Sequence, residues 1–128
     1  MKILQVIPRF NPSLGGGVDV VYNLSKHLAL RGHEVTVATT DYLFDACYAK
    51  ELEDLGVQVL PFKHIFNYAL FIPAPDMKVW LDSNLKKFDI VHLNGARSYQ
   101  NSVVLKYAKK YHVPIVLQAH GSIMRIVE

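Results

Sequence analysis

Five short runs of apolar and β-branched residues are spaced along this chain, and segments with helical periodicity fill the gaps between them. No other feature restricts the fold as much. The runs are 2–7 (KILQVI), 34–40 (EVTVATT), 57–62 (VQVLPF), 89–94 (DIVHLN) and 114–119 (PIVLQA). They are nearly continuous rather than strictly alternating, as expected for strands covered on both faces of a parallel sheet. Between the first two runs, Val18, Val21, Leu24 and Leu28 recur at helical spacing, and Gly32 supplies a helix stop. Residues 46–55 form a shorter helical stretch ended by Gly56. Pro75 can open a helix that places Met77, Trp80, Leu81 and Leu85 on one face. Ser98 can cap a helix through about Tyr111, with Val103, Val104, Tyr107, Ala108 and Tyr111 as its buried stripe. Right-handed crossovers then favour one topology: an α/β, doubly wound, Rossmann-like parallel sheet of about five strands in the order 3-2-1-4-5.

Length and charge narrow the function classes. A chain of 128 residues is one domain, and a 51% hydrophobic content with a net charge of +3 excludes a disordered chain. The lysines are scattered, with small clusters at Lys86-Lys87 and at Lys106, Lys109 and Lys110. They read as solvated helix faces, so no nucleic-acid partner is expected. Cys47 is the single cysteine, which rules out an intrachain disulfide and fits a reducing cytoplasm. The six histidines form no H-x-x-x-H or HExxH pair, and no metal site is expected. The apolar run Ile3 to Ile7 is too short for a signal-peptide core or a spanning helix.

Open parallel sheets bind ligands at the carboxyl ends of their strands, near the point where the strand order reverses. The loops predicted there contain Arg9 to Gly17, Asn94 to Ser98, and His120-Gly121-Ser122. Gly15, Gly16 and Gly17 let the backbone approach a ligand closely, and the helix that follows offers unpaired N–H groups to an anion such as a diphosphate. Asp19 in the first turn competes for that positive end. The alternative is a glycine-rich turn that merely feeds a helix. The spacing matches neither a P-loop nor G-x-G-x-x-G. Asp41 therefore reads as a strand-ending polar residue rather than a ribose-binding acid. His120 is the best single polar candidate, positioned to bond a hydroxyl or phosphate oxygen, although it could simply cap a strand end. Asn94 and Arg97 are loop residues of suitable polarity. His92 reads as a hydrogen-bonded core histidine, and His33 as structural. The aromatic segment 62–73 (FKHIFNYALFIP) has three readings: a membrane-surface contact, a packed loop, or an interface with further sequence.

Three stretches together carry a family resemblance. The opening MKILQVIPRFNPSLGGGVDVVYNLSKHLALRGHEVTVATT resembles the start of the family 4 glycosyltransferases, which have the GT-B fold. DIVHLNG at 89–95 resembles the family's D-I-V-H strand, and PIVLQAHGS at 114–122 its P-x-V-x-x-x-H-G segment. Only 41–88 lacks a motif. The resemblance implies a retaining transferase with two Rossmann-like domains, in which the N-terminal domain holds most of the acceptor. It matches Gly16 and Gly17 to the loop that meets the donor diphosphate. His120 matches the histidine that faces the transferred sugar. Arg9, Asn94 and Arg97 fall where acceptor contacts are expected. No cofactor is implied, because the nucleotide sugar is itself a substrate.

On this reading residues 1–128 are a single, incomplete N-terminal domain. The family's donor-binding C-terminal domain, with its E-x7-E motif, is absent, and the chain alone is expected to be inactive. It is expected in the cytoplasm, with segment 62–73 as a peripheral contact at the inner face of the membrane. Its apolar fifth strand, 115–119, is expected to pair with another copy. Two other classes fit the residues less well: a small Rossmann-like nucleotide- or NAD-binding protein, and a non-catalytic interaction module.

Overall fold

A computed structural model of the chain describes residues 1–14, 16–68, 72–95 and 98–118. Five strands and four helices alternate: β1 (Lys2–Val6), α1 (Gly16–Leu30), β2 (Glu34–Thr40), α2 (Ala46–Asp54), β3 (Gln58–Phe62), α3 (Pro75–Asn84), β4 (Ile90–Asn94), α4 (Tyr99–Tyr111) and β5 (Ile115–Gln118). Single 3-10 turns occupy Pro12–Leu14 and Leu85–Lys87. The sheet order is β3-β2-β1-β4-β5, every pair parallel, as the crossover argument requires. The switch point lies between β1 and β4.

Local chemistry explains the helix ends. Asp45 caps α2 by accepting from the Tyr48 N–H at 3.0 Å, and Ser98 caps α4 by accepting from the Asn101 N–H at 3.1 Å. Pro75 begins α3, where a missing N–H costs nothing. Gly32 and Gly56, at φ +90° and +92°, take the left-handed turns that release α1 and α2. The same position after α4 is filled by His112 at φ +56°, which the sequence did not signal.

Two hydrophobic clusters clad the sheet. On one face Leu4, Val6, Val91 and Leu93 meet Met77, Leu81, Leu85, Val104 and Ala108 from the α3 and α4 side. On the other, Ile7, Val35, Val37 and Val59 meet Val18 and Val21 of α1 and Ala49 and Leu52 of α2. Each leucine so buried contributes about 1.5–3 kcal/mol. The edges differ. At β3, Pro61 pairs opposite Thr39, which is tolerated because this edge strand has no further neighbour needing its N–H. At β5, Val116 and Leu117 are about half exposed; Ala119, expected at its end, lies outside the described residues.

The aromatic segment after β3 divides in two. Ile72 and Ala74 are fully buried, whereas Ile65, Phe66 and Tyr68 are 63%, 50% and 78% exposed. The exposed part is fastened to the β2–α2 loop. Asp41 accepts from the His64 backbone N–H at 2.9 Å and contacts the His64 ring, and the Asn67 amide donates to the Tyr42 hydroxyl at 3.2 Å. Asp41 thus serves as the strand-ending residue the sequence suggested.

That clasp predicts a modest acid sensitivity. Burial pushes the Asp41 carboxyl up, but hydrogen bonds from the His64 ring and backbone outweigh it and hold the group below its ordinary 3.8. A depressed native pKa stabilises the fold above the unfolded-state value, and the gain is lost as pH falls through the native one. Both side chains are partly exposed, which keeps the effect under about 1 kcal/mol. Urea unfolding between pH 5 and 2.5 should therefore show a shallower acid loss in Asp41→Asn than in the parent chain. Identical slopes would mean that the clasp contributes nothing to stability.

Candidate ligand-binding site

The loop leaving β1 is built as a rigid bracket. Ile7 continues the ladder by donating to the Ala38 carbonyl at 3.1 Å, and the Thr40 hydroxyl donates to the Pro8 carbonyl at 2.6 Å. Arg9 is half-buried on this loop. Phe10 is fully buried, with its ring 5.2 Å from that of Tyr48, and its carbonyl accepts from the Asp45 N–H at 3.2 Å. Asn11 Oδ1 then accepts from both the N–H and the hydroxyl of Ser13, at 3.0 and 2.7 Å, closing the turn that delivers the chain to α1. Gly16 and Gly17 open that helix; Gly15 lies outside the described residues.

Asp19, the feature most at odds with an anion at this helix end, is engaged from the side. The Tyr48 hydroxyl donates to it at 3.3 Å, and Tyr22, stacked on Tyr48 at 4.5 Å, donates to Glu51. Desolvation, reinforced by Glu51, pushes the Tyr22 phenol up to about 12. Desolvation and Asp19 also raise that of Tyr48. Both phenols therefore remain donors at neutral pH. These neutral donors orient the two carboxylates without cancelling their charge, so Asp19 still competes with an anion for the N–H groups of the first turn of α1.

Across the switch point the site is polar and buried. The sequence reading ended the fourth strand at Asn94 and also counted it with the loop that follows. It is the last residue of β4, opposite Gln118 in the β5 ladder, and only 1% exposed. Its amide nitrogen lies 3.1 Å from Gln5 Oε1, 3.2 Å from the Val6 carbonyl and 3.2 Å from the His92 carbonyl. Those contacts direct it into the scaffold. His92, 6% exposed, pairs through Nε2 with Gln118 Oε1 at 3.0 Å, which is the core role expected of it. Gly95, at φ +91°, donates its N–H to the Gln118 carbonyl at 2.8 Å and accepts from the Asn101 side-chain amide at 2.8 Å. Arg97 and His120 lie outside the described residues.

Gln5, Asn101 and Gln118 were not among the residues singled out from sequence. The available signal was a glutamine inside each of two otherwise apolar strand runs. Gln5 Nε2 and Asn101 Oδ1 are buried without a hydrogen-bond partner among the described residues, a cost of roughly 1–3 kcal/mol each. Ser25 Oγ, Thr39 Oγ1 and Gln100 Oε1 are buried in the same way on α1, β2 and α4, so such atoms are not confined to the carboxyl end of the sheet. A cleft of about 230 Å³ lies at the opposite end, rimmed by Lys2, Glu34, Trp80, Asn84, Lys87 and Phe88. Parallel sheets do not ordinarily bind ligands there. Among the described residues no three His, Cys, Asp or Glu side chains are grouped to hold a metal ion, and no helix is long and apolar enough to cross a membrane.

A doubly wound parallel sheet, with a glycine-opened helix and a buried polar network at its switch point, defines a Rossmann-like α/β domain. The chain belongs to glycosyltransferase family 4, whose family model matches residues 14–127. It is 31% identical over 123 residues to a GDP-mannose:cellobiosyl-diphosphopolyprenol alpha-mannosyltransferase of Xanthomonas oryzae pv. oryzae (strain PXO99A). That alignment covers 94% of this chain and 31% of the relative, so the chain spans about a third of the relative's length. Among solved structures, MurG of Acinetobacter baumannii superposes with a TM-score of 0.60 at 14% identity, covering 98% of this chain and 36% of that one. The C-terminal domain of a Pyrococcus furiosus hydrogenase superposes with a TM-score of 0.58 at 18% identity, covering 91% and 90%. At these identities the superpositions establish the fold alone.

Proposed function

We propose that this chain is the acceptor-side domain of a retaining glycosyltransferase that moves a sugar from a nucleotide-sugar donor to an acceptor. The observation that carries the proposal is the mannosyltransferase relative, aligned across 94% of the chain. The substrates in that relative's name make GDP-mannose the first donor to test and a saccharide linked through diphosphate to a polyprenol the first acceptor. In this reading the Gly15–Gly17 turn and the α1 N-terminus meet the donor diphosphate, and His120 faces the transferred sugar. Arg9 and Arg97 contact the acceptor, whereas Asn94, buried against Gln5 and Val6, supports the scaffold. The nucleotide sugar serves as substrate, with no separate cofactor. A lipid-linked acceptor suits a protein at the inner face of the membrane, and the exposed Ile65, Phe66 and Tyr68 supply an apolar contact for it.

The glycine turn provides the test. In a protein carrying both the acceptor-side and donor-side domains, Gly16→Val places a branched side chain where backbone must approach the diphosphate. Transfer should fall well beyond threefold, a change of more than roughly 0.65 kcal/mol in transition-state stabilisation, while the melting temperature barely moves. Activity within that margin would remove the turn from the donor site.

The chain is also proposed to self-associate through β5. Val116 and Leu117 on this edge are 49% and 52% exposed, and no charged side chain lies between Ile115 and Gln118 to discourage pairing. A two-fold axis would join β5 to its copy antiparallel. Sedimentation equilibrium at micromolar concentration should give a dimer or larger species, reduced by Val116→Lys. A monomer in both samples would refute the pairing.

A further inference from the structure

We infer that Asn94 and Asn101 are positioning residues that clamp the two ends of the β4–α4 connection, so that acceptor recognition is set from beneath by side chains that do not touch the acceptor. The inference rests on the acceptor reading above and goes beyond it by naming what holds that side of the site. The connection starts at Gly95 and ends at Ser98. At its start, Asn94 ties β4 to β1 through Gln5 Oε1 and the Val6 carbonyl. The Gly95 peptide groups are then fixed in two directions. The N–H is held by β5 through the Gln118 carbonyl, and the C=O is held by α4 through the Asn101 amide, each at 2.8 Å. At its end, Ser98 is 3% exposed and bonds the backbone N–H of the same Asn101.

One residue therefore secures both ends. Its N–H donates to the capping Ser98 hydroxyl, and its side-chain amide donates to the carbonyl of the residue that leaves the strand. Gly95 adopts φ +91°, a conformation open to glycine and otherwise uncommon, so the direction in which the chain departs β4 depends on that hold. Ordinary helix capping needs only Ser98. It does not require the Asn101 side chain to reach back to Gly95, nor a buried Oδ1 left without a partner among the described residues.

Asn101→Leu removes the donor without adding charge, keeps the branched shape with somewhat greater volume, and eliminates the orphaned oxygen. Asn101→Ser is the second variant, in case the first alters packing. The readouts on this chain are the melting temperature, the carbonyl-carbon NMR resonance of Gly95, and the Kd for soluble cellobiosyl diphosphate by NMR titration. The expected result is a Gly95 resonance shifted toward an unbonded carbonyl, a nearly unchanged melting temperature, and binding weakened by about tenfold, the scale on which slight misplacement acts. An unmoved Gly95 resonance in both variants overturns the clamp. A moved resonance with unchanged Kd overturns the positioning role. If the parent chain binds no cellobiosyl diphosphate, the acceptor reading itself fails, a result separable from either of these.

Discussion

The isolated 128-residue chain is expected to transfer no sugar from any common nucleotide donor. The physical reason is electrostatic. Glycosyl transfer from a nucleotide sugar leaves a diphosphate, and preorganised stabilisation of developing charge is usually the largest catalytic contribution. A single missing donor group costs on the order of 3 kcal/mol in related cases of oxyanion stabilisation. By family resemblance the groups that neutralise this leaving diphosphate belong to the second domain, and the present chain spans about 31% of its mannosyltransferase relative. Losing the whole set should take the rate below detection, even where the acceptor-side domain is correctly folded. The check is a radiolabelled transfer assay with purified chain and GDP-mannose, UDP-glucose or similar donors. Turnover that disappears in His120→Ala would show that these residues suffice and would overturn the division of labour proposed above.

Phe10→Ala should cause the largest loss of stability among single substitutions near the site. Phe10 is fully buried, although it lies in a loop rather than in a strand or helix. It joins the cluster formed by Ile7, Val18, Val21 and Leu52 and packs on Tyr48. Removing a buried phenylalanine side chain leaves a cavity and typically costs about 3–5 kcal/mol. That is a large part of the 5–15 kcal/mol that holds a typical domain together. For a chain of this size the melting temperature should fall by roughly 10–20 °C. Tyr68→Ala, at a position 78% exposed, should change stability by less than about 0.5 kcal/mol. Because Phe10 also anchors the loop that leads to Gly16, the surviving folded fraction should bind donor poorly in the two-domain protein. A Phe10→Ala chain that melts within a few degrees of the parent would show that the loop is anchored in some other way.

The elements themselves were legible because their causes are local. The β-branched run EVTVATT became β2 residue for residue, and α4 begins after Ser98 and ends at Tyr111 as its cap and apolar stripe suggest. Strand order followed as well, since the handedness of crossovers is a general property of L-polypeptides and needs no knowledge of side-chain contacts. The segment 62–73 was not resolved from sequence, because apolar density alone does not say which residues face inward. Ile72 belongs to the core, while Ile65, Phe66 and Tyr68 stand in solvent on a loop fastened by Asp41 and Tyr42.

By itself, then, the sequence determined the strands, the helices, their order and the family, all of which depend on periodicity, capping and motifs read along the chain. Only the tertiary structure decided the polar network at the switch point. Gln5, His92, Asn94 and Gln118 come from three strands, and Asn101 from a helix. They meet because the parallel register sets Gln5 beside His92 and Asn94 beside Gln118. A hydrogen bond between residues 89 positions apart, such as Asn94 to Gln5, depends on that register to within one residue, since a shift of one turns every side chain to the opposite face of the sheet.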